Sequence, residues 1–267
     1  MLQPEWIFLF LLLGSFVGFM AGLLGIGGGG IMVPALTTIF LFHGIAIENV
    51  VHLALGTSMA SMVITTFSSF RTHNLKGSVE WKAVKGMAGG IILGTFASTF
   101  LASYLSSVFL AILFACFMAF VSIQMFLNKK PKPSRELACS SGLFVAGSGI
   151  GVISALVSIG GGSLTVPYLT WQNIDIKKAI GTSSAIGVFI SITGSIGYFV
   201  NGWNYASPEE YTFGYVYLPA AVLISITGFF TAPYGANLAH KLPVSKLKKI
   251  FAVLLILLSL KMLMSVL

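Results

Sequence analysis

The sequence predicts an all-α, polytopic helical membrane protein: two inverted-topology repeats of four to five helical segments each, with glycine-broken short helices. Three observations carry this. Hydrophobic residues make up 56% of the 267 residues and charged ones only 8%, against about 25% charge in an ordinary soluble domain. Apolar runs of about 20 residues, enough to cross a bilayer, follow one another almost without pause, and the alternating segments of a transmembrane barrel are absent. Finally, one stretch occurs twice. Gly22-Leu-Leu-Gly-Ile-Gly-Gly-Gly-Gly-Ile-Met-Val-Pro34 returns half a chain later as Ala155-Leu-Val-Ser-Ile-Gly-Gly-Gly-Ser-Leu-Thr-Val-Pro167. Self-similarity at that spacing, with glycine breaks inside apolar sequence, is the mark of a duplicated membrane unit.

The first apolar run spans about Trp6 to Gly25. Met1-Leu-Gln-Pro-Glu-Trp6 before it has no Lys or Arg, so it lacks the basic region of a cleavable signal and the run is expected as the first membrane helix. After the glycines comes a run of about Ile31 to Phe42, too short to cross upright at 1.5 Å per residue. Runs of about Val50–Phe70, Ala83–Tyr104 and Val108–Leu127 complete the first transmembrane repeat, residues 1–127. A polar linker, 128–136, carries Lys129, Lys130, Lys132 and Arg135. The second repeat, 137–267, follows the same plan: Leu137–Ile159, a short Leu164–Trp171, Ala179–Val200, Phe213–Leu238 and Lys249–Leu267. Leu55-Gly-Thr-Ser58 returns as Ile180-Gly-Thr-Ser183, and Phe114-Ala115 with Ser122 as Phe251-Ala252 with Ser259. Trp6, Trp81, Trp171 and Trp203 fall at segment ends, where an indole suits the membrane interface. Pro219, Gly228 and Pro233 predict kinks in the ninth segment, matched by Gly89, Gly90 and Gly94 in its counterpart; such breaks are tolerated in membrane helices.

The net charge of +8 reads as membrane topology, because the basic residues sit in short loops; nucleic acid is not the expected partner. Residues 71–85 hold Arg71 and three Lys, whereas the equivalent 201–212 holds Glu209 and Glu210 and no base. Residues 105–107 are uncharged, whereas 240–249 carries four Lys. Residues 43–49 carry only Glu48, whereas 172–178 has Lys177 and Lys178. Equivalent loops of opposite bias place the halves upside down relative to one another, with the linker cytoplasmic and both termini facing outward. Cys116 and Cys139 form no ligand pattern and are expected as small buried hydrophobes.

Consecutive glycines in a membrane expose amides that lipid does not satisfy, so such backbone survives only beside protein or a watery cavity. A short helix starts after each run, with Pro34 or Pro167 expected in its first turns. Its free N–H groups and positive dipole end favour an anion, and two such ends converging near the midplane would form a site. The expected site is Gly27, Gly28, Gly29 and Gly30 with Gly160, Gly161, Gly162 and Ser163. The hydroxyls of Thr57, Ser58, Thr182 and Ser183, read as opening the next long helices, join it as donors. Close helix packing is the plainer reading of the glycines, and helix capping that of the hydroxyls. His52 and Lys261 are scarce intramembrane ionisable groups and so candidates for a substrate or proton role. Arg71, closing the third segment, is a candidate to attract anions, with interfacial anchoring as its plainer role. Gly25, Gly27 and Gly30 spell a dinucleotide fingerprint, but without the strand and soluble βαβ unit that it needs. No paired carboxylates, metal-ligand pattern or nucleophile constellation appears; an enzyme, a metal or a cofactor is not expected.

The doubled order, Gly25-Ile-Gly-Gly-Gly-Gly-Ile-Met-Val-Pro34 then Leu55-Gly-Thr-Ser58, and Ile159-Gly-Gly-Gly-Ser-Leu-Thr-Val-Pro167 then Ile180-Gly-Thr-Ser183, resembles the TauE/SafE group of sulfite exporters, the TSUP superfamily, over essentially the whole chain. The resemblance implies a membrane transporter that moves sulfite or another small sulfur-containing anion outward, driven by an ion gradient with a proton or sodium ion as coupling ion. Alternatives that use the same helix ends are a passive anion channel and an uptake permease for a different organosulfur compound.

Overall fold

The structure, a computed structural model, describes residues 4–25, 27–127, 136–205, 211–241 and 245–266. The chain is an all-α polytopic membrane protein. Among the described residues its helices are α1 (Pro4–Leu24), α2 (Gly29–Phe42), α3 (Ile47–Leu75), α4 (Trp81–Tyr104), α5 (Ser107–Leu127), α6 (Ser140–Leu156), α7 (Gly162–Trp171), α8 (Ile176–Asn201), α9 (Leu218–Lys241) and α10 (Ser245–Val266). Within those residues α1, α3, α4, α5, α8 and α9 are long and apolar enough to cross a bilayer. Each expected apolar segment is a helix, because at membrane depth a helix satisfies its own backbone polar groups.

Several boundaries differ from expectation, α6 (Ser140–Leu156) being shorter at both ends than the apolar run that predicts it. α3 runs on through Leu75, so Arg71 lies inside it. α9 starts at Leu218, because Thr212–Phe213 and Val216–Tyr217 form a small antiparallel hairpin (β1, β2) before it. Pro219 therefore falls in the first turn of α9, where a missing N–H breaks no helical bond. Pro34 and Pro167 fall in the second turns of α2 and α7, each removing the donor that would meet the carbonyl of Gly30 or Ser163. Both cysteines are exposed; in a membrane protein the outer face is as apolar as the core, so hydropathy does not tell the two apart. The linker bases, Glu209 and Glu210 lie outside the described residues, as do the side chains of Lys246, Lys248 and Lys249.

α1 and α2 form a hairpin. Trp6 packs against His43 with ring centroids 4.4 Å apart, while the tip turns back so that Gly28 lies against Val17, midway along α1. α6 and α7 form a matching hairpin closed by the Ala138 N–H donating to Gln172 Oε1 at 3.4 Å. The two hairpins open to opposite ends of the bundle. His43 leads into the start of α3 at what is here the Trp6 end. Gln172 leads into the start of α8 at the His73 end, where Lys177 Nζ donates to the His240 carbonyl at 3.4 Å. Helix packing repeats in the same sense: α1 lies along α9 as α6 lies along α4, and α3 crosses α8 between them.

Small residues make these pairings close. Gly14, Gly18 and Gly22 seat the α1 backbone against Ile224, Gly228 and Ala232 of α9. Gly86, Gly90 and Gly94 do the same for α4 against Leu143, Phe144 and Ser148 of α6. Four-residue spacing puts each trio on one helix face, letting backbones approach where lipid supplies no hydrophobic drive. Gly90, Gly94 and Gly228 are thus packing seats. Gly90→Leu would drive a side chain into the Phe144 carbonyl. The cost of overpacking is about 1–3 kcal/mol or more, read as a lowered unfolding temperature or loss of monodisperse protein in detergent.

Candidate functional site

Both short helices start in the same way. Gly28, φ 84° and ψ −7°, caps α2; Gly161, φ 80° and ψ −19°, caps α7. That left-handed backbone costs a residue with a Cβ about 1–2 kcal/mol, which is why glycine stands there. The Gly28 carbonyl accepts from the N–H groups of Ile31 and Met32, and the Gly161 carbonyl from Leu164 and Thr165. The N–H groups of Gly29 and Gly30, and of Gly162 and Ser163, precede the first intrahelical bonds and point out of the helix starts.

The two starts meet. A Cβ on Gly27 would lie 2.6 Å from Gly160 Cα and 3.0 Å from Met62 Sδ. Gly29 abuts the Ser158 carbonyl, 3.4 Å from Ser58 Oγ by the same measure. Each loop also rests on the long helix of the other half. Ser183 Oγ of α8 donates to Ile180 O at 2.8 Å and lies 3.4 Å from Gly25 O, while Ser158 Oγ donates to Leu55 O of α3 at 3.2 Å. Ser58, Ser163 and Thr165 have buried hydroxyls without a hydrogen-bond partner among the described residues, and Thr165 Oγ1 lies beside Gly161. Buried hydroxyls left unpaired cost stability; these three lie around the two helix N-termini, and among the described residues those of Thr37, Ser122, Ser154 and Ser195 are unpaired elsewhere.

The repeated Gly-Thr-Ser motif divides its labour. It lies within α3 and α8, not at their starts, so its hydroxyls do not cap those helices. Gly56 gives room to the carbonyl of Tyr215 in the hairpin ahead of α9, and Gly181 to the carbonyl of Ser78 ahead of α4. Thr57 Oγ1 then accepts the Tyr217 N–H, and Thr182 Oγ1 the Glu80 N–H, both at 2.9 Å. Each threonine therefore ties down the backbone that enters the facing half's helix, and the serine next to it turns to a glycine loop. Thr57→Val and Thr182→Val leave a buried N–H unpaired and are each expected to lose about 1–3 kcal/mol. Thermal unfolding in detergent reads that loss.

The remaining candidates lie apart from the loops. His52 is buried, with Nε2 3.0 Å from Ala102 O and Nδ1 3.3 Å from Ser107 Oγ, tying the start of α3 to the end of α4 and the start of α5. Lys261 lines a groove of about 230 Å³ with Leu9, Leu13, Pro34 and Thr38 near the Trp6 end. Arg71 is exposed near the end of α3. Sequence reasoning missed His73 and His240, whose ring nitrogens Nδ1 and Nε2 lie 3.2 Å apart. They are far apart in the chain, and only the spacing of Ser58, Thr66, Ser69 and His73 along one face of α3 marks the first of them.

The chain matches the family described as sulfite exporter TauE/SafE over residues 10–262. It is 38% identical over 258 residues to a "Probable membrane transporter protein" of Haemophilus influenzae, covering 96% of this chain and 98% of that one. A protein of the same description from Methanocaldococcus jannaschii is 29% identical over 88% of this chain and 86% of its own. One from Bacillus subtilis is 27% identical over 73% and 80%. No solved structure matches the chain. Membrane-spanning helices paired through small residues, glycine-started half-helices meeting inside them, and a family match running nearly from end to end place the chain in the sulfite exporter TauE/SafE family of membrane transporters.

Proposed function

We propose that the protein exports a small sulfur-containing anion, sulfite foremost, by alternating access around a site between two inverted repeats, residues 1–127 and 137–267. The observation that carries the reading is the contact of Gly27 with Gly160, which brings the N-termini of α2 and α7 together. The anion is held by the N–H groups of Gly29, Gly30, Gly162 and Ser163 and by the hydroxyls of Ser58, Ser163 and Thr165. Gly27, Gly28, Gly160 and Gly161 shape the loops; Thr57, Thr182 and Ser183 hold them in place. Helix N-termini and amide donors suit an oxyanion without any resident cation. Two hairpins opening to opposite ends support the inverted arrangement. Among the described residues Lys76, Lys82, Lys85, Lys177, Lys178 and Lys241 gather at the His73 end with Glu80 and Asp175, whereas the other end has Glu5, Glu48 and the single lysine Lys261. The His73 end is thus read as cytoplasmic and both termini as outside an inner membrane. Proteoliposomes loaded with labelled sulfite are expected to lose it faster with protein than without, and transport against a gradient separates a coupled carrier from a channel. If sulfite stays inside while another organosulfur anion leaves, the substrate is wrong and the transporter class stands.

A further inference from the structure

We propose that the His73–His240 pair is a proton-linked recruitment site for small oxyanions at the mouth of the His73 end. The proposal rests on the transport reading above and assigns that mouth its own binding groups. His73 is buried, and its Nε2 lies 3.1 Å from the Gly22 carbonyl near the end of α1. A carbonyl only accepts, so Nε2 carries the proton and, in the neutral ring, Nδ1 carries a lone pair. That lone pair accepts the Nε2–H of His240 across 3.2 Å. One more proton, supplied by water or buffer acid, binds the outer Nδ1 of His240 and makes the pair singly cationic with every contact kept. A second would set N–H against N–H and break the pair. The site therefore holds one added proton.

The surroundings make that proton depend on an anion. Lys76 stands past α3, Lys241 ends α9 next to His240, and Lys177 of α8 donates to the His240 carbonyl. The Lys76 ammonium is held below the usual lysine range by partial burial and by the Lys241 charge, a sign of crowded positive charge. Two acids, Glu80 and Asp175, lie on the segments that carry these lysines. Glu80 lies 3.8 Å from Lys178, and Asp175 caps α8 by accepting the Lys177 N–H. Arg71 adds a further positive charge on α3, and among the described residues α1 contributes only its backbone carbonyl. A cationic pair ringed by lysines is favourable only when an anion shares the site, so anion and proton each strengthen the other's binding.

A line of buried hydroxyls runs inward from the pair. Ser69 and Thr66 lie one and two turns before His73 on the same face of α3, and their hydroxyls meet Ser184 and Ser191 of α8 at 3.2 and 3.3 Å. Two further turns along that face stands Ser58, at the glycine loops. The four paired hydroxyls are buried and closed on one another between α3 and α8, so an anion passing inward has to part the two helices.

The test is sulfite flux with pH varied only on the His73 side, for the wild type, His240→Gln and His73→Gln. Each variant sees the same sulfite protonation at a given pH, so differences between them report the protein. At subsaturating sulfite the wild type should gain flux as that side is acidified, by up to about tenfold per pH unit for one linked proton. His240→Gln should carry less flux than the wild type at acid pH, and its pH dependence should stay within about twofold per pH unit of the protein-free background. Wild-type pH dependence in both variants would overturn the proposal. No wild-type flux at any pH would instead sink the transport reading. A second measurement needs no flux: ring-¹⁵N histidine NMR of the intact protein in nanodiscs, titrated with and without sulfite. His73 and His240 should titrate as a linked pair whose protonation sulfite promotes. Independent titration, or none of this response to sulfite, would refute the site even if His73→Gln fails to fold.

Discussion

Gly28→Leu combined with Gly161→Leu is expected to abolish sulfite flux while leaving a protein that still inserts. Both positions sit at positive φ, so each leucine costs about 1–2 kcal/mol from backbone conformation alone. Sterically the two differ. At Gly28 the new side chain meets Val17, and at Gly161 it lies 2.8 Å from Ile190 Cδ1. Both nearest obstacles are side-chain atoms, whereas at Gly90 the obstacle is a backbone carbonyl. The helix starts should therefore move while the bundle pairs survive. Loss of two oriented N–H clusters removes charge-assisted bonds worth about 1.5–3 kcal/mol each, and flux should fall by more than about a hundredfold. Flux in proteoliposomes, beside a monodispersity and unfolding check, decides it. A folded double variant with unimpaired flux would show that the anion passes elsewhere.

Hydropathy and the doubled glycine run located the helices because a bilayer leaves the backbone few choices. The same signal was silent on which face meets lipid. Cys116 and Cys139 read as core and are exposed, since lipid and core are equally apolar. The short hairpin at 212–217 was hidden inside an apolar run, as Phe213, Val216 and Tyr217 are as hydrophobic as the helix they precede. The glycines were visible, but their two jobs were not. Gly86, Gly90 and Gly94 sit at the spacing of a packing face, whereas Gly27 and Gly28 adopt positive φ. Composition records both simply as glycine. The Gly-Thr-Ser motif was legible as a pair, and its division of labour was not. Thr57 meets Tyr217 and Thr182 meets Glu80 across long stretches of chain, contacts that only the fold creates. The pairing of His73 with His240 was unreadable for the same reason.

Ser58→Ala with Ser163→Ala should separate binding from stability more sharply than any glycine change. Neither hydroxyl has a hydrogen-bond partner among the described residues, so removing them takes away no internal bond and relieves two buried polar groups of their desolvation cost. Unfolding temperature should hold or rise, because deleting an unsatisfied buried polar group is neutral to stabilising. If both donate to the anion, apparent affinity for sulfite should fall by about 10- to 100-fold, the equivalent of one or two charge-assisted bonds. Thr57→Val gives the opposite signature, with lower stability and anion affinity retained once folded, because its oxygen is occupied by Tyr217. The two signatures cross: a site residue costs affinity and not stability, a strut costs stability and not affinity. Equal affinity in the wild type and the serine double variant would mean that these hydroxyls serve only the packing of the glycine loops, and would leave the backbone amides of α2 and α7 to hold the anion alone.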